Sequence, residues 1–359
     1  MFQPRFHISP ATAKALMAIE AARIEMDRLP VSPQLIASLR ESARLLSTHY
    51  STQIEGNRLT LPEVRRVIAG IGGFPGRERD EKEVHHYYLA AGRAEAMAFL
   101  QRPFTAEDIQ LLHGLAFEGQ ARPTPWRDGQ NVIRDGGSGG IVYMPPEAKD
   151  VPMLMNELIS WINAETASEN FPVPVIAALA HYQFATIHPW YDGNGRTARL
   201  LTTMILHRCG HGLKGIYSLE EYYARNLEEY YEALSVGPSH NYYMGRAEAD
   251  VSGFVEYFCR GMADAFLKVR ASAEKAEAGS LDKAALMREL RPPQRQALGL
   301  FSGSRVVTSS ELAAYLGISP RQGRDWCAKW TAEGFLKAVN ASKKARSYGL
   351  AARFEAGLF

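Results

Sequence analysis

The sequence predicts a mainly α-helical protein with one short β-hairpin and a small, separate C-terminal domain. Apolar residues recur at helical spacing through most of the first 280 positions, as in the run from Val151 to Ile162, which gives a helix one apolar face. Five glycines and two prolines interrupt this pattern between Trp126 and Pro146. The charge balance then changes near Leu281. For a chain of 359 residues, these changes indicate two or three domains.

The helical pattern recurs in nine segments before the C-terminal region: 35–50, 64–71, 83–100, 106–117, 151–162, 175–187, 197–207, 220–234 and 251–270. The segment from Val175 is apolar nearly all round, as is typical of a central buried helix. The β-prone stretch Gly140-Ile141-Val142-Tyr143-Met144 predicts a loop or hairpin. We place an N-terminal helical region at 1–104, a second region at 105–279 and a C-terminal domain at 281–359, with a linker near 279–281.

Charge is divided unevenly along the chain. Residues 281–359 contain 13 Lys and Arg against 6 Asp and Glu, a net charge of +7, which leaves −5 for the first 280 residues of a chain whose total is +2. The three cysteines, Cys209, Cys259 and Cys327, lack the spacing of a zinc site and predict reduced thiols in a cytoplasmic protein. The sequence has neither a signal peptide nor a run of roughly 20 apolar residues, so we expect no membrane association.

One short run of the chain concentrates the residues that carry chemistry. From His188 it reads His-Pro-Trp-Tyr-Asp-Gly-Asn-Gly-Arg-Thr-Ala-Arg, ending at Arg199. The proline after His188 disfavours helical geometry and places the imidazole at the end of a buried helix. Residues Asp192 to Gly195 favour tight turns and lead directly into the next helix, whose N-terminus can bind phosphate oxygens through backbone N–H groups.

Further groups in this run fit a bound nucleotide. Arg196 and Arg199 lie three residues apart on the first helical turn, where two guanidinium groups can neutralise phosphate charge. The carboxylate of Asp192 beside an anion site calls for a cation, and Mg²⁺ held between it and the phosphates meets that need. A neutral His188 can take a proton from a hydroxyl. These residues predict a nucleotidyl or phosphoryl transferase.

The pattern His-Pro-x-x-Asp-Gly-Asn-Gly-Arg-x-x-Arg resembles the signature of the Fic family of protein adenylyltransferases, with Trp190 where the family usually has phenylalanine. The resemblance implies a Fic-type helical bundle at 105–279, with His188 as the base and Asp192 as the Mg²⁺ ligand. Gly195 is typical of the branch that transfers AMP. The implied nucleotide-binding residues of the loop are Asp192, Gly193, Asn194, Gly195, Arg196, Thr197, Ala198 and Arg199.

Two segments outside the loop resemble other parts of that family. The β-prone residues Gly140, Ile141, Val142 and Tyr143 resemble a flap that aligns a target segment by strand addition. A plain surface hairpin is the alternative interpretation. Tyr230 and Tyr231 resemble a tyrosine pair that lines the adenine pocket, although simple packing in the core would also account for them.

An inhibitory segment is also implied by resemblance. The run Ser51-Thr52-Gln53-Ile54-Glu55-Gly56-Asn57 is similar to the pattern of the family's inhibitory helix, which we place at about 47–58. A carboxylate delivered into the site would pair with an arginine that the γ-phosphate needs, so Glu55 is predicted to hold Arg199. Ser51 belongs to the same pattern. An ordinary solvated helix remains the alternative.

The basic C-terminal region resembles a winged-helix domain. Thr308 to Pro320 predicts a helix followed by a glycine turn, and Ser319 with Pro320 predicts the start of a second helix. Trp326 and Trp330 should face inward, which leaves Arg321, Arg324 and Lys329 facing solvent. These three residues are the candidate contacts with DNA. A winged helix can instead mediate protein contacts.

These features favour an enzyme that transfers AMP from ATP, with Mg²⁺, to a Ser, Thr or Tyr hydroxyl of a target protein and is inhibited by Glu55. The alternative is a nucleotide-sensing, DNA-binding transcriptional regulator with a Fic-like domain. The residues leave open whether UTP or GTP replaces ATP, which protein is the target, whether AMP is also removed, and whether the chain forms a homodimer.

Overall fold

The computed structural model describes residues 2–28, 32–100, 102–134, 139–168, 170–237, 239–301, 305–340 and 346–358. The chain divides into two compact units, 1–271 and 272–359. Both contain helices and a small antiparallel sheet, as the sequence predicts. Among the described residues, no helix combines the length and the apolar content needed to cross a bilayer.

The first unit is built from helices, whose order along the chain is α1 (Pro10–Arg28), α2 (Pro33–Ile54), α3 (Leu61–Ile68), α4 (Glu78–Ala98), α5 (Ala106–His113), α6 (Val151–Ser168), α7 (Val173–Ile187), α8 (Asn194–Arg208), α9 (Glu220–Arg225) and α10 (Leu227–Leu234). Helix α11 (Ser252–Glu289) begins in this unit. The segment near 279–281, where the composition predicts a linker, lies within α11. Its many Ala, Glu and Lys residues favour a helix, which accounts for the difference.

Helix α7 forms the centre of the first unit. Its residues from Pro174 to Phe184 are all buried, which confirms the prediction of a helix that is apolar nearly all round. Helix α8 packs between α7 and α4, and α2 packs against α4 and α9. Because α7 leads into α8 through a short loop, the residues of that loop are fixed by the most buried part of the unit.

The predicted hairpin is present. Strands β1 (Ile133–Arg134) and β2 (Ile141–Tyr143) pair antiparallel, with Ile133 opposite Tyr143. The four residues between 134 and 139 lie outside the described ranges. Just beyond β2, the Met144 N–H donates to the His240 carbonyl (2.7 Å) and the Met144 carbonyl accepts from the Tyr242 N–H (3.0 Å). These bonds anchor the end of the hairpin to a later part of the chain.

The second unit alternates helices and strands in the order α12 (Pro292–Phe301), β3 (Val307–Thr308), α13 (Ser309–Leu316), α14 (Pro320–Ala332), β4 (Leu336–Asn340), β5 (Ser347–Leu350) and α15 (Ala352–Leu358). Strand β5 lies between β3 and β4 and pairs antiparallel with both. Gly317 ends α13 with a positive φ of 67°. Ser319 caps α14 by accepting from the Gln322 N–H (3.2 Å). Trp330 of the same helix is buried in the core of this unit.

Candidate active site

The histidine of the predicted catalytic loop lies where α7 ends. His188 adopts a left-handed backbone (φ 52°, ψ 61°), which is uncommon for a residue other than glycine. Its N–H still donates to the Phe184 carbonyl (3.0 Å), and Pro189 follows. This turn directs the imidazole out of the helix end. Six residues later Asn194 begins α8, so the loop joins two buried helices.

The protonation of His188 suits a base. Its Nδ1 lies 3.3 Å from the Ala185 carbonyl oxygen, which can only accept, so Nδ1 carries the proton and Nε2 keeps a free lone pair. Burial, together with the positive charge of Arg127, lowers the pKa of His188 to about 4. The imidazole is therefore neutral at physiological pH.

The turn before α8 is held by its own side chains. Asn194 Nδ2 donates to the Trp190 carbonyl (2.8 Å), and Asn194 Oδ1 accepts from the Trp190 N–H (3.0 Å). Thr197 Oγ1 donates to the Gly193 carbonyl (2.9 Å), and Gly193 has a positive φ of 78°. These two side chains thus shape the loop. The backbone N–H groups of the first turn of α8 point away from any helical acceptor and are suited to an anion.

The two arginines of the loop are buried and have different partners. Arg196 is 2% exposed; its Nη2 lies 3.4 Å from Asp192 Oδ1, and its guanidinium lies over the ring of Phe117. Asp192 keeps about half of its side chain exposed. Arg199 is also 2% exposed and points toward α2. Both arginines therefore belong to the start of α8, but the guanidinium of Arg199 is already engaged by Glu55.

The segment from Ser51 to Glu55 contacts Arg199. Arg199 Nη2 donates to Glu55 Oε1 (2.8 Å) and to the Ser51 carbonyl (3.0 Å), and its Nε donates to Ser51 Oγ (2.7 Å). Burial acts to lower the pKa of Arg199, but the Glu55 carboxylate outweighs it and the pKa is raised. Glu55 caps the C-terminus of α2, where a cation also satisfies helix carbonyls. The guanidinium therefore binds the helix end as well as the carboxylate.

The absence of a side chain at Gly195 leaves room for the Glu55 carboxylate. A Cβ atom on Gly195 would lie 2.3 Å from Glu55 Oε1 and 3.1 Å from Arg199 Nη1. Glu55 therefore lies directly over the start of α8, where its negative charge faces the groups that suit a phosphate. Asn57 fixes the chain after Glu55, because its Nδ2 donates to the Asp80 carbonyl (2.9 Å) and to Glu83 Oε2 (3.1 Å).

Sequence reasoning missed two residues that support the loop. His113 Nε2 lies 3.0 Å from the Asp192 carbonyl, its Nδ1 lies 2.7 Å from Thr124 Oγ1, and its ring stacks on Trp190 at 3.9 Å. Arg127 Nε donates to the His188 carbonyl (3.0 Å), and its Nη2 donates to the Pro146 carbonyl. Arg127 thus joins the catalytic loop to the end of the hairpin. Neither residue belongs to a recognisable pattern in the sequence.

The hairpin residues fall into two groups. Ile141 and Val142 are exposed, with 46% and 42% of their surface accessible. Tyr143 is buried, and its hydroxyl donates to the Thr186 carbonyl (2.8 Å), two residues before His188. Gly140 directly precedes the strand. The hairpin is therefore attached close to the catalytic loop through Tyr143, while Ile141 and Val142 face outward.

The two residues of the tyrosine pair also differ in exposure. Tyr230 is 3% exposed, and its hydroxyl lies 2.8 Å from His181 Nε2. Its ring stacks on Tyr223 at 4.9 Å. Tyr231 is 48% exposed and lies beside Tyr230, with ring centroids 5.3 Å apart. Of the two, Tyr231 is the one whose ring is accessible to a ligand.

Two buried histidines next to the site predict that the protein loses stability in mild acid. Burial lowers the pKa of His113 to about 4 and that of His181 to about 3, whereas both protonate near 6.5 in an unfolded chain. The unfolded state therefore binds more protons as pH falls below 6.5. We expect the free energy of unfolding to fall by roughly 1.4 kcal/mol per pH unit for each histidine between pH 6 and pH 4.5.

Urea denaturation at pH 7, 6, 5 and 4.5 measures this effect. A His113→Gln variant should show a shallower dependence on pH than the unmodified chain, because one histidine with a lowered pKa no longer titrates. An unfolding free energy that does not change between pH 6 and pH 4.5 would contradict the burial of these side chains in solution.

Comparisons with known proteins agree with this geometry. Residues 103–206 match the family model described as the Fic/DOC family. Proteins named protein adenylyltransferase Fic from Drosophila willistoni and Drosophila virilis are 30% identical over 200 residues, 55% of this chain. The chain covers 39% and 40% of their lengths, about two fifths of the curated relatives.

Solved structures share the fold. A Fic family protein from Desulfovibrio desulfuricans G20 aligns with a TM-score of 0.70 and 24% identity, covering 98% of this chain and 99% of that chain. A fragment of Fic-1 from C. elegans aligns with a TM-score of 0.57 and 24% identity, covering 74% of this chain and 73% of that chain. The first of these similarities extends over both compact units.

Proposed function

We propose that the Fic domain at residues 103–206 makes this chain a protein adenylyltransferase, which moves AMP from ATP to a Ser, Thr or Tyr hydroxyl of a target protein. One observation carries the proposal. A neutral His188 with a free Nε2 lies in the same short loop as the N-terminus of α8 and two buried arginines. The curated relatives, which are named as adenylyltransferases, support the same reaction.

The reaction follows from the loop. The target hydroxyl gives its proton to Nε2 of His188 while its oxygen attacks the α-phosphorus of ATP. The bond from the α-phosphorus to the bridging oxygen breaks, and pyrophosphate leaves with the electron pair. The hydrogen bond from Nδ1 of His188 to the Ala185 carbonyl holds the ring in the tautomer that accepts this proton.

The phosphates require positive charge around the start of α8. Backbone N–H groups of Gly195 and Arg196 and the guanidinium of Arg196 would bind them, and Arg199 would bind the terminal phosphate once it is free of Glu55. Asp192 fits a Mg²⁺ ligand, because its carboxylate is half exposed next to this anion site. When bound there, the ion would help to neutralise the charge that develops on pyrophosphate. His113 holds the Asp192 backbone in place.

The adenine of ATP and the target segment would contact different parts of the site. The accessible ring of Tyr231 would stack on adenine. The exposed Ile141 and Val142 would align an extended segment of the target along the hairpin, with main-chain hydrogen bonds that do not depend on its sequence. We place the reaction in the cytoplasm, because the three cysteines are free thiols.

The test separates transfer of AMP from transfer of phosphate. The Glu55→Gly variant is incubated with Mg²⁺ and a cell lysate, and with either α-labelled or γ-labelled ATP. We expect label in protein from α-labelled ATP alone, and no label in the Glu55→Gly/His188→Ala double variant. Label from γ-labelled ATP, or no label from either despite measurable ATP binding, would contradict the proposal.

A second candidate function rests on the C-terminal unit. Helix α14 exposes Arg321, Arg324 and Lys329, and none of the three has an ion-pair partner among the described side chains. A helix with several free cations in a unit of net positive charge favours binding of duplex DNA, so the chain would act as a nucleotide-sensing regulator. The winged-helix interpretation of this unit supports the same function.

DNA binding has a distinct signature. The Arg321→Ala/Arg324→Ala variant should lose roughly ten-fold or more of its affinity for duplex DNA and show a weaker dependence on salt. Lys337→Ala is the matched control, because Lys337 is already paired with Glu355 (2.6 Å) in the same unit. Equal loss of affinity in both variants, or no salt-dependent binding by the unmodified chain, would exclude this function.

A further inference from the structure

A buried carboxylate outside the catalytic loop accepts hydrogen bonds from three hydroxyl groups. Glu220 is the first residue of α9 and is 4% exposed. Its Oε2 accepts from Ser47 Oγ (2.8 Å) and Ser218 Oγ (3.0 Å), and its Oε1 accepts from the Tyr87 hydroxyl (3.2 Å). The reaction proposed above does not use Glu220. A carboxylate surrounded by donors in the interior calls for a structural or functional reason.

This carboxylate and the arginine of the site hold neighbouring turns of the same helix. Glu220 accepts from Ser47 of α2 (2.8 Å), and one turn later Ser51 Oγ accepts from Arg199 Nε (2.7 Å). The Tyr87 hydroxyl of α4 donates to Glu220 (3.2 Å), so the carboxylate also joins α2 to α4. Hydrogen bonds to a charged group are stronger than those between neutral groups, so these contacts fix the position of α2.

The contacts lie along one face of α2. Ser47, Ser51 and Glu55 are four residues apart, so their side chains follow each other on the same side of the helix. Glu220 holds this face at Ser47, and Arg199 holds it at Ser51 and Glu55. The position of the inhibitory carboxylate therefore depends on a second carboxylate that lies on another helix.

We infer that Glu220 is a positioning residue which holds α2, and with it Glu55, against Arg199, and so sets how strongly the site is inhibited. The inference rests on the proposed function. Replacing the carboxylate by an amide removes an acceptor and adds N–H donors, so the three hydroxyls can no longer all donate to it. Helix α2 then loses its hold at Ser47, and Glu55 leaves Arg199 more often.

The test combines Glu220→Gln with Glu55→Gly. In the otherwise unmodified chain, we expect Glu220→Gln to raise AMP transfer about tenfold, the effect of losing one or two buried hydrogen bonds to a carboxylate. In the Glu55→Gly background, Glu220→Gln should change transfer less than about twofold, because no inhibitory carboxylate remains to be positioned. A residue that merely maintains the fold would lower transfer in both backgrounds.

Two Tyr→Phe variants refine the result. Tyr87→Phe removes one of the hydroxyl groups that fix the Glu220 carboxylate and should also raise transfer in the unmodified chain. Tyr217→Phe is the matched control, because its hydroxyl is buried in the same region and has no hydrogen-bond partner among the described residues. Thermal unfolding of each variant shows whether it folds. Unchanged or reduced transfer in folded Glu220→Gln, or an equal rise in the Glu55→Gly background, would overturn the inference.

ATP affinity separates this inference from the proposed reaction. If Glu55→Gly transfers no label, the proposed function fails, but the positioning role can still be measured by ATP binding to the variants. Glu220→Gln should then bind ATP about tenfold more tightly than the unmodified chain, since Arg199 is released more often, and no more tightly when Glu55 is already glycine. Unchanged ATP affinity in the first case would reject the role of Glu220.

Discussion

The Glu55→Gly variant is expected to transfer AMP about a hundred times faster than the unmodified chain. Glu55 occupies the terminal-phosphate arginine, with Oε1 2.8 Å from Arg199 Nη2, and places a negative charge over Gly195. ATP must displace this carboxylate before its phosphates can bind. A charge-assisted hydrogen bond contributes about 1.5 to 3 kcal/mol, and each 1.4 kcal/mol corresponds to a factor of ten, which gives roughly two orders of magnitude.

Initial rates of label incorporation from α-labelled ATP, at saturating target lysate, measure this effect. Glu41→Gly is the matched control, since Glu41 lies on the exposed part of the same helix and accepts from the Tyr88 hydroxyl (2.8 Å). A helix that is merely weakened by glycine would raise the rate in both variants. A Glu55→Gly rate equal to that of the unmodified chain would mean that the contact with Arg199 does not control the site.

Glu55→Gln gives an intermediate test. The amide oxygen can still accept from Arg199, but the negative charge that faces the phosphates is lost. We therefore expect a rise in transfer that is smaller than that of Glu55→Gly. If the two variants were equal, charge alone would account for the inhibition, and the space that the side chain takes above Gly195 would not contribute.

Much of the site could be predicted because its key residues are neighbours in the sequence. The run from His188 to Arg199 contains the base, the turn and both arginines within one loop and one helical turn, so local rules of chain geometry place them together. The hydrogen bond between Glu55 and Arg199 spans 144 positions, and the sequence still predicts this pair because the run from Ser51 to Asn57 resembles a family pattern of its own.

The supporting residues could not be predicted for the opposite reason. His113 reaches the Asp192 carbonyl across 79 positions, and Arg127 reaches the His188 carbonyl across 61. Both bonds end on backbone atoms, which every residue has, so no pattern of side chains reveals the partner. The same holds for Glu220, whose three hydroxyl donors are brought together only when α2, α4 and α9 pack.

The resemblance points to Tyr230 and Tyr231 as a pair, but it does not predict that their rings have different environments. The sequence treats Tyr230 and Tyr231 alike, whereas the first is buried with its hydroxyl bonded to His181 and the second is half exposed. Consecutive residues on a helix point about 100° apart, so adjacent side chains seldom share one environment. Which of them faces inward depends on the aromatic cluster around Tyr223, formed by distant parts of the chain.

The His188→Ala substitution in the Glu55→Gly background is expected to lower AMP transfer by about a thousandfold, a typical contribution of a general base. The imidazole has its proton on Nδ1, held by Ala185, and a pKa of about 4, so it accepts a proton without first losing one. Alanine removes this acceptor. The phosphate-binding groups of α8 are separate from the imidazole, so ATP affinity should change less than about threefold.

Single-turnover label transfer and ATP titration, carried out on the same preparations, distinguish loss of chemistry from loss of binding. His85→Ala is the matched control, because His85 is exposed on α4 and remote from the loop in sequence. Equal losses of affinity and rate in His188→Ala would indicate that the side chain shapes the nucleotide site. A rate that survives in His188→Ala would reject His188 as the base, and the hydroxyl proton would then have to leave by another route.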